Sequence, residues 1–338
     1  MVRYARARIV FLLLAPCPFG ILHPPAAAHG LASVLSHRHN GVDLAVVVSG
    51  FTALTATGDD EDAIHGFDVQ IEAGKYAEVS GQLEIYTKEH PASWRALYQL
   101  GYAYFRLHKI KASLTMLSRS LALNAQFADA HKILAFDLNI LGRQDLAITE
   151  LKRAIQLDPK SAESHYELGR ILFEQGSYLA SVGQFQATEA LSPAFVKAYH
   201  NLGLAYAALG ENTKAVAEFQ KGLALNAKSS KPSAWPLIDF GTYYNLRNDF
   251  ANAKTMLLQS IEIDGSWDQA YSELAKAYRG LGQTGNAIEA LKRAIAINPD
   301  KPEYHYSLAA LYRRAAKPAA ATQELKIYEK IKSDAGPK

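Results

Sequence analysis

Residues 165–193 read HYELGRILFEQGSYLASVGQFQATEALSP. Apolar residues recur three, four and seven positions apart on either side of Gly176, which predicts two amphipathic α-helices. A glycine between them suits a tight turn, because it tolerates a left-handed backbone. Pro193 closes the stretch where a helix must stop. The sequence therefore predicts a helical hairpin.

The same pattern recurs along most of the chain with a period of 34 residues. The first half of each unit repeats an apolar position followed by a small residue, and it resumes after a slip of four residues at 230–233: Leu100, Leu134, Leu168, Leu202, Phe240, Leu274 and Leu308. The second half repeats another apolar position: Leu117, Leu151, Phe185, Phe219, Leu257, Leu291 and Leu325. A period of this length indicates stacked helical hairpins, with small residues where helices approach closely.

These positions resemble the tetratricopeptide repeat family, whose units carry Leu, Gly, Tyr, Gly, Ala, Phe, Ala and Pro at fixed places. The resemblance implies an all-α, right-handed superhelical solenoid of about eight 34-residue helix-turn-helix repeats. The units span residues 60–93, 94–127, 128–161, 162–195, 196–229, 234–267, 268–301 and 302–335 of an array from 60 to 335. The first unit matches least well, with Gly66, Phe67 and Gln70 at signature positions, and is expected to be a cap or only partly ordered.

In this family the first helix of each hairpin lines a concave groove, so the resemblance implies a scaffold that binds a protein or peptide there. The ligand-facing positions are the second, fifth, ninth, twelfth and thirteenth of each unit. In the second to fifth units they give a mainly aromatic and cationic set, the predicted groove residues: Arg95, Tyr98, Tyr102, Arg106, Lys132, Phe136, Asn139, Tyr166, Arg170, Phe173 and His200, with Phe105 and Lys197 beside them.

Aromatic and arginine side chains supply much of the binding energy at interfaces. The expected ligand is therefore an extended or helical peptide with apolar anchors and some acidic character. For any single aromatic residue, packing against the adjacent hairpin is an equally good explanation.

The last three units are more polar and more basic at the comparable positions, with Trp235, Thr242, Asn245, Lys276, Arg279, Tyr306, Arg313 and Arg314. A second partner and a solvated face both remain open there. The slip at 230–233 predicts a weak boundary between the two halves. The polar final helix is expected to discourage further stacking.

One subset of the family holds the acidic C-terminal tails of chaperones in a clamp of Lys and Asn side chains. Lys132 matches the clamp lysine, but Phe136 and Glu167 stand where Asn residues are needed. This sequence therefore does not predict that activity.

Catalytic and metal-binding patterns find little support. His131, His165 and His305 share one repeat position, which indicates helix packing. The sequence has no phosphate-binding loop, nucleophile elbow or HExxH run. We expect neither an enzyme, a cofactor nor a metal site.

The N-terminus has the order of a secretory signal over residues 1–28: Arg3, Arg6 and Arg8, a short apolar run, and small residues at 26–28. An unfolded extension is the alternative. Cys17 follows Pro16, which argues against a lipid anchor, and no run approaches the roughly 20 apolar residues of a membrane span. Residues 29–59 are expected to be an irregular linker and 336–338 a tail.

These features predict an exported protein of the bacterial periplasm or cell envelope. A membrane-tethered assembly factor for an envelope enzyme or secretion complex is the alternative. Lys and Arg number 36 against 33 Asp and Glu, and removing the three N-terminal arginines leaves 33 against 33. A neutral chain gives no support for a nucleic-acid partner. Self-association through the convex surface is left open.

Overall fold

The computed structural model describes residues 61–334. The predicted signal segment at 1–28, Cys17, the linker at 29–59 and the tail at 336–338 lie outside the described residues.

Consecutive helices pair as hairpins throughout the described range, which contains sixteen α-helices and no strand. The first helices are α1 (Glu61–Glu72), α3 (Trp94–Arg106), α5 (Ala128–Ile140), α7 (Ala162–Glu174), α9 (Val196–Ala208), α11 (Trp235–Leu246), α13 (Asp268–Gly280) and α15 (Pro302–Arg314). The second helices are α2 (Tyr76–Glu89), α4 (Ile110–Leu123), α6 (Gln144–Leu157), α8 (Tyr178–Leu191), α10 (Asn212–Ala227), α12 (Phe250–Ile263), α14 (Thr284–Ile297) and α16 (Pro318–Asp334). The predicted all-α array of hairpins is confirmed.

The repeated apolar positions form the core. Those of the first helices, from Leu100 to Leu308, are all buried, and so are those of the second helices from Leu117 to Leu291. Leu325 on α16, the last helix of the described residues, is only partly buried. On this helix Ala321 is the single buried residue, so the array ends in a largely polar surface.

Small residues allow the two helices of a hairpin to touch. A Cβ added to Gly169 would lie 2.7 Å from the Phe185 ring, and one added to Gly101 would lie 2.8 Å from Leu117. Real Cβ atoms essentially never come this close to their neighbours. The predicted close approach at these glycines is confirmed.

The hairpin turns use a left-handed residue. Gly142 has φ +72°, its N–H donates to Asn139 O at 2.9 Å, and the next N–H, of Arg143, donates to Leu138 O at 2.8 Å. This pair of bonds satisfies helix carbonyls that would otherwise lack partners. In the turn between α15 and α16, Ala316 adopts the same conformation at φ +55° although it carries a side chain.

The first hairpin forms a helical pair although its signature is poor. Ile64, Phe67 and Ile71 of α1 pack with Val79 and Leu83 of α2 in one apolar cluster. The two helices nevertheless contact each other less than those of any other hairpin.

The side chain of Asn226 bridges the four extra residues at 230–233. The amide nitrogen of Asn226 donates to Ser233 O at 2.8 Å, and Ser233 N–H donates to Asn226 Oδ1 at 3.0 Å. The helices α10 and α11 pack less closely than other neighbouring hairpins do. The Phe219 and Phe240 rings, 4.9 Å apart, continue the core across this junction.

Candidate partner-binding groove

An aromatic surface follows the first helices of the second and third hairpins. Tyr98 and Tyr102 stack at 6.3 Å on α3, Tyr102 lies 6.4 Å from Phe105, and Phe105 lies 5.9 Å from Phe136 on α5. All four rings are partly buried against the apolar cluster that contains Leu117 and Ile133. They therefore pack between hairpins and still present part of their surface to solvent. The structure brings these predicted residues together.

Arg106 extends the aromatic surface toward the first hairpin. Its guanidinium lies 4.3 Å from the centre of the Tyr76 ring and donates to the Tyr102 hydroxyl at 2.9 Å. Burial raises the pKa of Tyr102, and the hydrogen bond from Arg106 opposes that rise. Burial also raises the pKa of Tyr98 well above its usual range, with Asp129 adding to the effect. The two phenols are uncharged hydrogen-bonding groups at neutral pH.

Lys132 is held by two carboxylates. Its Nζ lies 2.8 Å from Asp129 on the same helix and 3.1 Å from Glu163 on α7. Burial acts to lower the pKa of Lys132, but Glu163 and Asp129 raise it on balance, so the ammonium is retained. An acidic ligand would have to displace these internal partners to reach it.

Two predicted arginines are also paired within the array. Arg170 donates to Glu167 at 2.7 Å and lies 3.5 Å from Glu174. Arg95 donates to both oxygens of Glu61 at 2.7 Å. The cationic character expected of this surface is therefore offset by carboxylates of the array itself.

Two predicted residues are part of the core. Tyr166 is only 7% exposed, and its hydroxyl accepts a hydrogen bond from Asn201 at 2.9 Å. His200 is 5% exposed, and its Nε2 lies 3.0 Å from Asp239 Oδ2 on α11. Their side chains offer little surface to a partner and instead connect adjacent hairpins.

Phe173 and Asn139 stand apart from the aromatic surface of α3 and α5. The Phe173 ring packs 5.2 Å from Tyr178 at the start of α8, within its own hairpin. Asn139 lies in the last turn of α5 and is partly buried. Whether these and the other predicted groove residues contact a ligand stays a prediction.

The recurrent histidines connect loops to helices. His131 Nε2 lies 3.2 Å from Ala125 O and its Nδ1 lies 2.5 Å from Glu150. His305 repeats this arrangement with Pro299 O at 3.0 Å and Glu324 at 2.7 Å. These contacts confirm the predicted packing role. No group of three potential metal ligands is found among residues 61–334.

Asp137 is a buried carboxyl that sequence reasoning missed. It lies on α5 at the position that holds Ala103 in the preceding unit and Ile171 in the next. Its side chain is fully buried, and neither oxygen has a hydrogen-bond partner of normal geometry in the described part of the chain. Burial raises its pKa from 3.8 to about 7, with the Ser113 hydroxyl opposing the rise. An acidic residue at a repeat position that is otherwise apolar could have identified it from the sequence.

Family comparisons agree with this architecture. A family model described as "TPR repeat" matches residues 137–176, 169–210 and 275–314, and one described as "Tetratricopeptide repeat" matches residues 196–229. The chain is a tetratricopeptide repeat protein. Arrays of this family typically serve as scaffolds for protein interaction.

A curated relative of this tetratricopeptide repeat protein is the "Tetratricopeptide repeat and J domain-containing co-chaperone DNJ1" of Cryptococcus neoformans. The two are 28% identical over 105 residues, which are 31% of this chain and 20% of the relative. The chain thus spans about a fifth of the length of the curated relative that it matches.

Solved structures share the fold. The APC/C hetero-tetramer Cut9-Hcn1 matches with a TM-score of 0.59 and 23% identity over 72% of this chain and 48% of that one. A tetratricopeptide repeat protein from Parabacteroides merdae matches with a TM-score of 0.58 and 14% identity over 71% and 93%. Pseudomonas aeruginosa pilF matches with a TM-score of 0.53 and 20% identity over 64% and 97%.

None of the helices of residues 61–334 combines the length and the apolar character that crossing a bilayer requires.

Proposed function

We propose that this tetratricopeptide repeat protein is a non-catalytic scaffold that binds a peptide segment of a partner protein along the first helices of hairpins two and three. The observation that carries the proposal is the partly exposed aromatic surface of Tyr98, Tyr102, Phe105 and Phe136. Rigid aromatic rings bury a large area on binding at little cost in conformational entropy, and they are frequent at interface hot spots.

The charges refine the class of peptide. Lys132 and Arg170 already contact carboxylates of the array, and their neighbours Glu163 and Glu167 are partly buried acids. Replacing such a partner by a ligand carboxylate exchanges one ion pair for another and gives little net gain. We therefore propose an uncharged peptide with apolar anchors for this surface, in place of the partly acidic one that the sequence suggests.

The test is an affinity capture with the full chain and a Tyr98→Ala/Tyr102→Ala/Phe136→Ala variant. A matched variant replaces Leu179, Leu246 and Ile263, three exposed apolar residues elsewhere on the array, with Ala. Circular dichroism must first show equal helicity for all three proteins. We expect one partner to bind the wild type and the matched variant and to be lost from the aromatic variant.

Capture of the same partner by the aromatic variant would refute the assignment of the site. Light scattering on the same samples measures self-association, so that loss of a partner is distinguished from a change in oligomeric state.

We further propose that the protein is exported, on the basis of the signal-like order of residues 1–28. Mass spectrometry of the protein recovered from its native cell would measure the mass of the N-terminal peptide. A mature terminus near His29 supports export, whereas an intact Met1 peptide contradicts it.

A further inference from the structure

A second surface lies at the ends of the first helices in the last hairpins. Arg279 occupies the last turn of α13, Arg313 and Arg314 end α15, and Lys317 follows in the turn. All four side chains are exposed. We call these four residues the basic edge.

Among residues 61–334, the cations of the basic edge have no acidic partner. None of their side chains forms a hydrogen bond or an ion pair within the part of the chain that the structure describes. Lys276, one turn before Arg279, is by contrast paired with Glu273 at 2.5 Å. On α13, the cation without an ion pair is therefore the one in the last turn.

The same repeat position carries opposite charge elsewhere. Glu174 ends α7 at the position that Arg314 occupies in the last hairpin, and it contacts Arg170 and Gln144. Since this position holds an acid in one repeat and a base in another, the fold does not require a cation there. The basic edge is a property of the last two hairpins.

The repeat also sets the spacing of the charges. Arg279 and Arg313 are 34 residues apart and occupy the same position in consecutive first helices. Asp268 contacts Lys301 and Tyr304, which joins α13 and α15 at their N-terminal ends. Their C-terminal ends then lie no closer than the roughly 10 Å between axes of packed helices. An extended peptide advances about 3.3 Å per residue, so carboxylates three or more residues apart match this spacing, and each guanidinium can bind one in a bidentate geometry.

We propose that the basic edge binds an acidic, extended segment of a protein partner, at a site separate from the aromatic surface of hairpins two and three. Four unpaired cations suit a short run of Asp or Glu residues. Helix macrodipoles also favour cations at these ends. That effect would hold without any ligand, whereas binding of an acidic peptide does not follow from it.

The probes are a fluorescent oligoglutamate peptide, its oligoglutamine counterpart and a single-stranded oligonucleotide of equal charge. Binding to the full chain is measured by fluorescence anisotropy at physiological and at low ionic strength. The test variant is Arg279→Glu/Arg313→Glu/Arg314→Glu. The matched control, Lys111→Glu/Lys152→Glu/Lys228→Glu, changes the net charge equally at exposed sites in earlier hairpins.

We expect oligoglutamate to bind the wild type and the control, and to bind the test variant at least about tenfold more weakly. Oligoglutamine should bind neither the wild type nor the control. A corresponding Arg→Gln triple variant removes the charge without adding repulsion, and it should show the same loss with unchanged circular dichroism.

Any of three results would overturn the proposal. The first is that the wild type fails to bind oligoglutamate, and the second is that the two Glu variants lose binding equally. The third is that the oligonucleotide binds more tightly than oligoglutamate and that its binding depends on the same arginines. The last result would assign the basic edge to a nucleic acid.

Discussion

Asp137→Asn should remove a pH dependence from the stability of the array. In the folded chain burial raises the pKa of this carboxyl to about 7, whereas its ordinary value is 3.8. Between these two values the folded state holds the proton and the unfolded state does not. The free energy of unfolding therefore falls as the pH rises through this window, and it levels off above about pH 7.

The magnitude follows from the two pKa values. For one proton, the free energy of unfolding changes by about 1.4 kcal/mol per pH unit. Across the window from 3.8 to about 7 it therefore falls by at most roughly 4 kcal/mol. Asparagine has nearly the same shape and does not ionise. We expect the Asp137→Asn variant to be little changed near pH 4 and to be the more stable protein at pH 8.

The assay is urea unfolding followed by circular dichroism at a series of pH values between 4 and 8. The matched control is Asp300→Asn, which removes an exposed carboxylate and should leave the pH dependence of the wild type in place. Equal slopes for wild type and Asp137→Asn would show that this carboxyl does not titrate as its burial requires, and the reasoning would fail.

Three further changes test the packing of the hairpins by urea unfolding. Gly169→Val should destabilise the array by about 1–3 kcal/mol, because the new side chain meets the Phe185 ring; an unchanged midpoint would contradict the close packing. Ala316→Gly should stabilise it by roughly 1 kcal/mol, because φ is +55° at this residue; a loss of stability would show that this turn differs from the glycine turns. Asn226→Ala should cost about 1–3 kcal/mol, since it removes both hydrogen bonds to Ser233, and no loss would mean that the insertion is held by other contacts.

The fold could be predicted because its determinants are local and repeated. The spacing of Leu168, Gly169 and Phe185 encodes two amphipathic helices and their close contact, and the neighbouring units encode the same contact again. Each hairpin packs mainly on the next one along the chain, so the period itself predicts which elements touch. Glycines such as Gly176 mark the turns because their backbone is left-handed.

The character of the candidate groove depended on contacts between units. Lys132 reads as a free cation in the sequence, but Glu163 of the following unit pairs with it. Tyr166 and His200 read as surface residues, although Asn201 and Asp239 of later helices hold them in the core. Such pairings depend on which rotamers of two helices meet, and a one-dimensional pattern does not specify them.

The sequence by itself determined the helical hairpins, their number and their order, because helix periodicity and turn chemistry act within a few residues of each other. Only the tertiary structure decided which charges are neutralised and which remain available to a partner. It paired Arg95, Lys132 and Arg170 with carboxylates of the array and, among residues 61–334, left Arg279, Arg313 and Arg314 without an ion pair. The physical reason is that charge pairing depends on distances of a few ångströms between side chains from different helices, and these distances exist only after the hairpins have stacked.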